Sequence, residues 1–573
     1  MCGVAVVALI LAVRPFAEIG FLDDWSYVKT TEVFARTGHI VYNGWATAML
    51  GWQVVWAALF VKLFGFSFTV VRMSMLPFVF GAVVLLHRCM VRFGISERNA
   101  GFGALAFGLS PMFVPFAPTF MTDVGGVFFI LLCLYLCLRA VEAITPRATI
   151  LWLFAAALTN VVGGSARQIV WLGALVMVPG AAWLLRRRRG VLTAAAALWI
   201  ASLIAAFGMM RWFAAQPYSL PEKLLAHVGV YEVLAFLLHA AAAVPCLLLL
   251  VLPVAAAWLP YSRQLPRRAW IAVAIVLAVW ALACVTLRHS NVLSSMIAPF
   301  LFPDLLDLGM DPYDSNLPGL RGVTLGMPSR VVISAFVLLC GLVILVWALW
   351  GRRVPASQAN RTEGLDWKTL GWTVGVFAAA YFLLLVPRGL LAKQLVDRYL
   401  LGLTPLAILA LLKLYEQQIG PRVPAISVVV LVLVGGYSLA ATHDWFALER
   451  AHVAIDNEVL ASGVPATQIQ AGEEPDAWTE IGVTGYVNDA RIRVPAGAYQ
   501  PFHSVLDACA PIFTGWLPQI QPRFVIAHSP LSCLEPSDFQ PVPYRTWLPP
   551  FRRQLIVEKV PEAMVKSETS QRR

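Results

Sequence analysis

Residues 118–143 read PTFMTDVGGVFFILLCLYLCLRAVEA: after the carboxylate of Asp123 there is no charged side chain until Arg139. An apolar run of about 20 residues is long enough to cross the roughly 30 Å hydrocarbon layer as a helix, which satisfies its own backbone hydrogen bonds. Similar runs recur near 3–19, 70–91, 99–117, 148–165, 168–185, 191–213, 231–252, 269–287, 331–350, 369–387, 399–415 and 422–440. With 59% apolar and 13% charged residues and a mean hydropathy of +0.73, the chain is no water-soluble enzyme. A polytopic α-helical membrane protein of about 13 transmembrane helices is expected. Its net charge of +11 sits in short clusters between apolar runs rather than on one basic face, so no nucleic acid partner is expected.

Those clusters set the orientation. Arg88/Arg92/Arg98, Arg139/Arg147, Arg186 to Arg189, Arg263/Arg267/Arg268, Arg352/Arg353/Arg361/Lys368 and Lys413/Arg422 alternate correctly if the N-terminus is inside and the C-terminus outside. Trp45 to Phe64 would break that alternation and is read as an interfacial helix in the outer loop 20–67. The first run is read as a retained helix, since no small-residue cleavage site follows it. Long connections then fall on the outer side, where function is expected. From Ala441 the composition is that of a soluble chain. A helix around Asp444 to Leu460 and strand-like stretches 467–471, 523–528 and 555–560 suggest a small C-terminal α/β extracytoplasmic domain, 441–573, after a membrane domain, 1–440. Seven of nine cysteines lie in membrane segments as apolar filler; Cys509 and Cys533 are candidates for a disulfide if the compartment is oxidising.

Asp23 and Asp24 follow the first apolar run, and Asp123 precedes another, all on the same side. Each either caps a helix or serves chemistry at the lipid boundary, where an idle carboxylate is costly. Arg72, Arg167 and Arg398 also face outward, against the usual bias; they either snorkel to headgroups or hold a phosphate, which guanidinium groups grip with paired donors. Carboxylates beside phosphate-binding arginines suit one reaction. A sugar arrives on a polyprenyl phosphate, arginines hold the phosphate, and an aspartate deprotonates the acceptor, inverting the anomeric carbon. There is no Walker sequence, no zinc spacing and no nucleophile elbow. Asp304, Asp307, Asp311 and Asp314, in the outer loop 290–330, lack calcium-loop spacing and are read either as a solvated loop or as an acceptor entrance.

The order of these features resembles the GT-C membrane glycosyltransferases, family 39 and its bacterial relatives, which include protein O-mannosyltransferases and lipid A aminoarabinose transferases. The resemblance rests on Asp23-Asp24-Trp-Ser-Tyr27, Lys62-Leu-Phe-Gly65, Val-Val-Arg72, Leu-Ser110-Pro111, Met-Thr-Asp123 and Asp397-Arg398-Tyr399 through Pro405, within the first 440 residues. It implies a GT-C-like bundle. Asp23 would be the catalytic base, Asp24 and Asp123 would be its companions, and Arg72, Arg167 and Arg398 would hold the donor phosphate. The family usually carries Asp-Glu where this chain has Asp-Asp. It further implies a polyprenyl-phosphate sugar donor, a saccharide, lipid or protein acceptor, no required cofactor, with a divalent cation left open though not indicated, and a multi-pass place in the cell's inner membrane. A transporter or flippase of a lipid-linked saccharide is the alternative, although neither repeat symmetry nor interrupted helix pairs appear. A non-catalytic scaffold is a third reading.

Overall fold

The computed structural model describes residues 1–573 except 222–228, 302–316, 322–323, 351–363, 393–394, 503, 505–508, 510–513 and 566–573. Asp304, Asp307, Asp311 and Asp314 lie outside the described residues, as does the basic cluster at Arg352, Arg353 and Arg361.

Nine helices among the described residues are long and apolar enough to cross a membrane: Phe68–Arg92, Thr122–Glu142, Pro146–Gly164, Val191–Ala214, Val230–Leu250, Arg267–Thr286, Met327–Trp350, Trp367–Val386 and Ala425–Ala461. The other four expected runs form shorter pieces, each for a visible reason. The first yields only Cys2–Ala12 before a left-handed residue, Arg14. The run near 99–117 stops at Gly108, ahead of Ser110-Pro111, because a proline cannot donate into a helix; a single turn, Phe113–Phe116, follows. Gln168–Leu184 begins as a 3-10 turn and passes through a π turn before its last helical segment. The last, Thr404–Gln418, starts where Pro405 occupies its first turn, after a separate turn at Asp397–Leu400.

Gly51–Phe64, at 14 residues, is about 21 Å long and too short to span. Its first amide donates to Ser165 O at 2.9 Å, and Trp56 Nε1 donates to Ser74 O at 2.8 Å. Charge separates the two ends of the bundle. Asp123 opens the 21-residue Thr122–Glu142 helix and Glu142 closes it, about 30 Å away. At the Glu142 end Arg92 pairs with Glu142, Arg188 Nη1 donates to Thr149 Oγ1 at 2.8 Å, and Lys413 Nζ donates to the carbonyls of Phe93 and Leu365, both at 2.8 Å.

The Ala425–Ala461 helix contains no proline and runs 37 residues without a break, carrying the chain out of the bundle. On it rests a mixed sheet: β1 (Ile469–Gln470) runs parallel to β2 (Phe524–Ala527). β5 (Arg552–Lys559) pairs antiparallel with β2, with β3 (Glu535–Pro536) and with β4 (Val542–Arg545). Leu448, Ile455 and Val459 pack against Ile526, Leu555 and Val557. A disulfide joins Cys509 and Cys533. This unit docks on the first outer loop through Trp516 against Trp45, Val487 N donating to Asn43 O at 2.9 Å, and Trp478 against Phe68.

Candidate active site

The chain leaves the first helix through Leu22, whose φ of 55° turns it sharply into the Asp24–Thr37 helix. The two aspartates at that turn have different surroundings. Asp24 is fully buried; Oδ1 accepts from Phe21 N at 2.6 Å and Oδ2 from Phe120 N at 3.0 Å. It therefore ties the first loop to the loop that carries Asp123. Burial pushes its carboxyl up to about 6, against the opposing pull of Arg72 and those two amides. Asp23 keeps 27% of its side chain accessible. Its Oδ1 accepts from Trp45 Nε1 at 2.8 Å, and Oδ2 faces Arg398 Nη2 at 3.4 Å.

Asp123 makes the matching pair from the other side of the site. Its side chain is buried, and Arg167 Nη2 stands 2.8 Å from Oδ1, while Arg167 Nη1 donates to Thr122 Oγ1 at 3.0 Å. Gly126, one turn along, leaves room for that guanidinium stem: a Cβ there would meet Arg167 Cδ at 2.8 Å. Asp123, Arg167, Tyr381 and Arg398 together line a narrow cleft. Tyr381 is fixed by donating to Tyr399 O at 2.8 Å. Tyr27, one helical turn after Asp23, links the two pairs. Burial holds its hydroxyl well above the usual range; Asp23 and Asp123 push the same way, Arg398 and Arg167 the other. Because Arg167 and Arg398 line one cleft, the two pairs form a single cluster.

Five of the six expected residues therefore gather here, Asp24 by supporting the loops. Arg72 stands on the Asp24 side and does not line the cleft. It is fully buried, donates from Nε to Phe68 O at 3.2 Å and from Nη2 to Ala17 O, and lies 4.6 Å over the Phe21 ring. Its position between apolar runs gave it the same sequence signature as Arg167, but Nε and Nη2 turn inward to backbone carbonyls, and Nη1 is buried without a hydrogen-bond partner among the described residues. Reading the sequence also missed Tyr27, Tyr381, Trp45 and Glu473. The spacing from Asp23 to Tyr27 could have flagged the first. Glu473 is 6% exposed and comes from the C-terminal region. Burial and the neighbouring Asp23 push its carboxyl up to about 8. Among the described residues, no group of three or more His, Cys, Asp or Glu could hold a metal ion.

Fold and site thus define a polytopic helical membrane protein with a small C-terminal sheet domain and a charged cleft at one end of its bundle. No protein-family model matches the chain, and no curated protein matches it. Among solved structures it is similar to the S. cerevisiae protein O-mannosyltransferase Pmt1-Pmt2 complex bound to the sugar donor, at 13% identity over 36% of this chain and 31% of that one, with a TM-score of 0.28. It is also similar to ArnT from Cupriavidus metallidurans bound to undecaprenyl phosphate, at 15% identity over 73% and 77%, TM-score 0.33. A third is the apo oligosaccharyltransferase of Archaeoglobus fulgidus, at 14% identity over 81% and 58%, TM-score 0.40. The chain spans about a third of the first of these proteins and somewhat over half of the third. Such identities and scores leave donor and acceptor to be argued from this chain's own residues.

Proposed function

We propose that this chain is an inverting glycosyltransferase that moves a sugar from a polyprenyl-phosphate carrier to a saccharide, lipid or protein acceptor at the outer face of the cell's inner membrane. Residues 1–440 form its transferase part and 441–573 its extracytoplasmic part. The observation that carries the reading is the meeting of two acid–arginine pairs, Asp23–Arg398 and Asp123–Arg167, whose arginines line one cleft at the end of the bundle away from the basic clusters.

In this reading Arg167 and Arg398 hold the donor phosphate, and Arg398 exchanges its contact with Asp23 for one with a phosphate oxygen. That exchange frees Asp23 Oδ2, while Trp45 keeps Oδ1 in place. Asp23 then takes the proton of the acceptor hydroxyl as its oxygen bonds to the anomeric carbon, and the bond from that carbon to the phosphate oxygen breaks. The released polyprenyl phosphate keeps its charge against the two guanidiniums. Asp123 positions Arg167, and Asp24 positions the loop beside it.

The test is incubation of the purified chain with radiolabelled polyprenyl-phosphate sugars and membrane extract, followed by identification of what gains label. Transfer from the lipid-linked sugar supports the proposal. Transfer from a sugar nucleotide but from no lipid-linked sugar overturns it.

A further inference from the structure

A second cavity, of about 720 Å³, lies on the other side of the Ala425–Ala461 helix. His443, Ala447, Arg450, Ala451 and Ala454 face it at helical spacing, whereas Trp445 and Phe446 pack on Phe21 beside the Asp23 turn, with ring centroids 4.8 and 4.2 Å away. Its far wall is β4 and the start of β5. Arg450 is anchored by Nη1 donating to Arg14 O at 2.8 Å, just after the first helix, which places the cavity at the rim of the bundle.

Its charge is one-sided. Arg545 and Arg552 are direct partners in the β4–β5 register, and like charges in direct opposition destabilise a strand pair. Both line the cavity with Arg450 and His443, and no aspartate or glutamate is among its lining residues. The adjacent acid, Asp444, accepts from Trp547 N at 2.6 Å and Leu548 N at 2.9 Å and faces His443 Nδ1 at 2.9 Å. Three arginines from three elements therefore face one space without an acid among them. Beside them stands an aromatic wall. Trp547 stacks on His443 at 4.1 Å and 9°, which fixes its plane, and is still 51% exposed; Phe551 is 56% exposed. A flat ring fixed beside a group of guanidiniums suits a ligand with an apolar ring face and an attached anion.

We infer that this cavity binds an anionic saccharide, a sugar carrying phosphate or carboxylate, at a site separate from the donor cleft. Binding needs no donor, so this inference can fail while the transferase reading stands, and the reverse.

The test is ligand-observed NMR on the full chain in zwitterionic detergent, with glucose 6-phosphate, glucuronate, glucose and inorganic phosphate as probes. Glucose 6-phosphate and glucuronate should bind at least about fivefold tighter than glucose. Glucose 6-phosphate should also bind more tightly than inorganic phosphate. Arg545→Gln and Arg552→Gln should each weaken the charged sugars about tenfold, as loss of a charged hydrogen bond does. Both residues are exposed, and their thermal midpoints should stay level or rise as the opposed charges are separated. Trp547→Ala should erase the preference over inorganic phosphate. Equal binding of glucose and glucose 6-phosphate, equal binding of phosphate and glucose 6-phosphate, or indifference to both arginine changes each overturns the inference. So does loss of glucose 6-phosphate binding in phosphatidylglycerol nanodiscs when it persists in phosphatidylcholine ones, because the occupant is then a lipid headgroup.

Discussion

Replacing Asp24 with alanine separates the roles of the two neighbouring aspartates. The change takes the acceptor from two buried amides, Phe21 N and Phe120 N. Leaving a buried donor unsatisfied costs about 1–3 kcal/mol, so the variant should lose about 4 kcal/mol where the native carboxyl is neutral. Charge then works against the native protein. The folded pKa of about 6 lies above the ordinary 3.8, so stability that is fully present below pH 3.8 is lost as pH rises through 6. A shift of that size corresponds to about 3 kcal/mol. The deficit of Asp24→Ala should therefore be widest at pH 4, the acid end of the range, and shrink to about 1 kcal/mol by pH 8. Asp23→Ala removes one indole hydrogen bond and a partly exposed ion pair, and should cost only about 1 kcal/mol. Unfolding of the detergent-purified chain, followed by tryptophan fluorescence from pH 4 to 8, compares the two. A deficit for Asp24→Ala no larger than that for Asp23→Ala at pH 5, or one that grows with pH, would refute the reasoning.

Other variants probe the rest of the site. Arg167→Gln and Arg398→Gln should each weaken binding of a polyprenyl-phosphate sugar by about 1.5–3 kcal/mol, read as Kd by titration; unchanged affinity would return them to a structural or headgroup role. Arg72→Gln should lower the thermal midpoint yet leave the donor Kd of the folded fraction unchanged, because Nε and Nη2 serve the Phe68 and Ala17 carbonyls and the side chain does not line the cleft; a weakened Kd would place it with the phosphate after all. Glu473 has a folded pKa raised from 4.5 to about 8, so its contribution to stability is present below pH 4.5 and lost as pH rises through 8. Glu473→Gln should remove that loss, and the gap between thermal midpoints should grow in the variant's favour from pH 5 to 8.5. A constant gap would contradict it.

Spans and acids were legible because their signals are local. An uncharged stretch such as 124–138 has one way to satisfy its backbone in lipid, and a carboxylate at its start stands out against the apolar background. The breaks at Ser110-Pro111 and before Pro405 were also written in the sequence, but hydropathy alone reads through a proline. What stayed hidden depends on tertiary packing. Which aspartate meets Arg398 and which meets the buried amides follows the turn at the left-handed residue Leu22. Arg72 and Arg167 look alike until their donors are seen to meet carbonyls in one case and a carboxylate in the other. Glu473 lies 450 positions beyond Asp23, and Arg545 opposes Arg552 only through a strand register that no local pattern specifies.

The most direct measurement is the initial rate of sugar transfer by Asp23→Asn at saturating donor, with donor Kd measured on the same preparation. The side chain keeps its shape and its place by Trp45 but cannot take a proton. The rate should fall about 100-fold or more while Kd stays within a few fold. Turnover near that of the unaltered protein would contradict the assignment of Asp23 as the base.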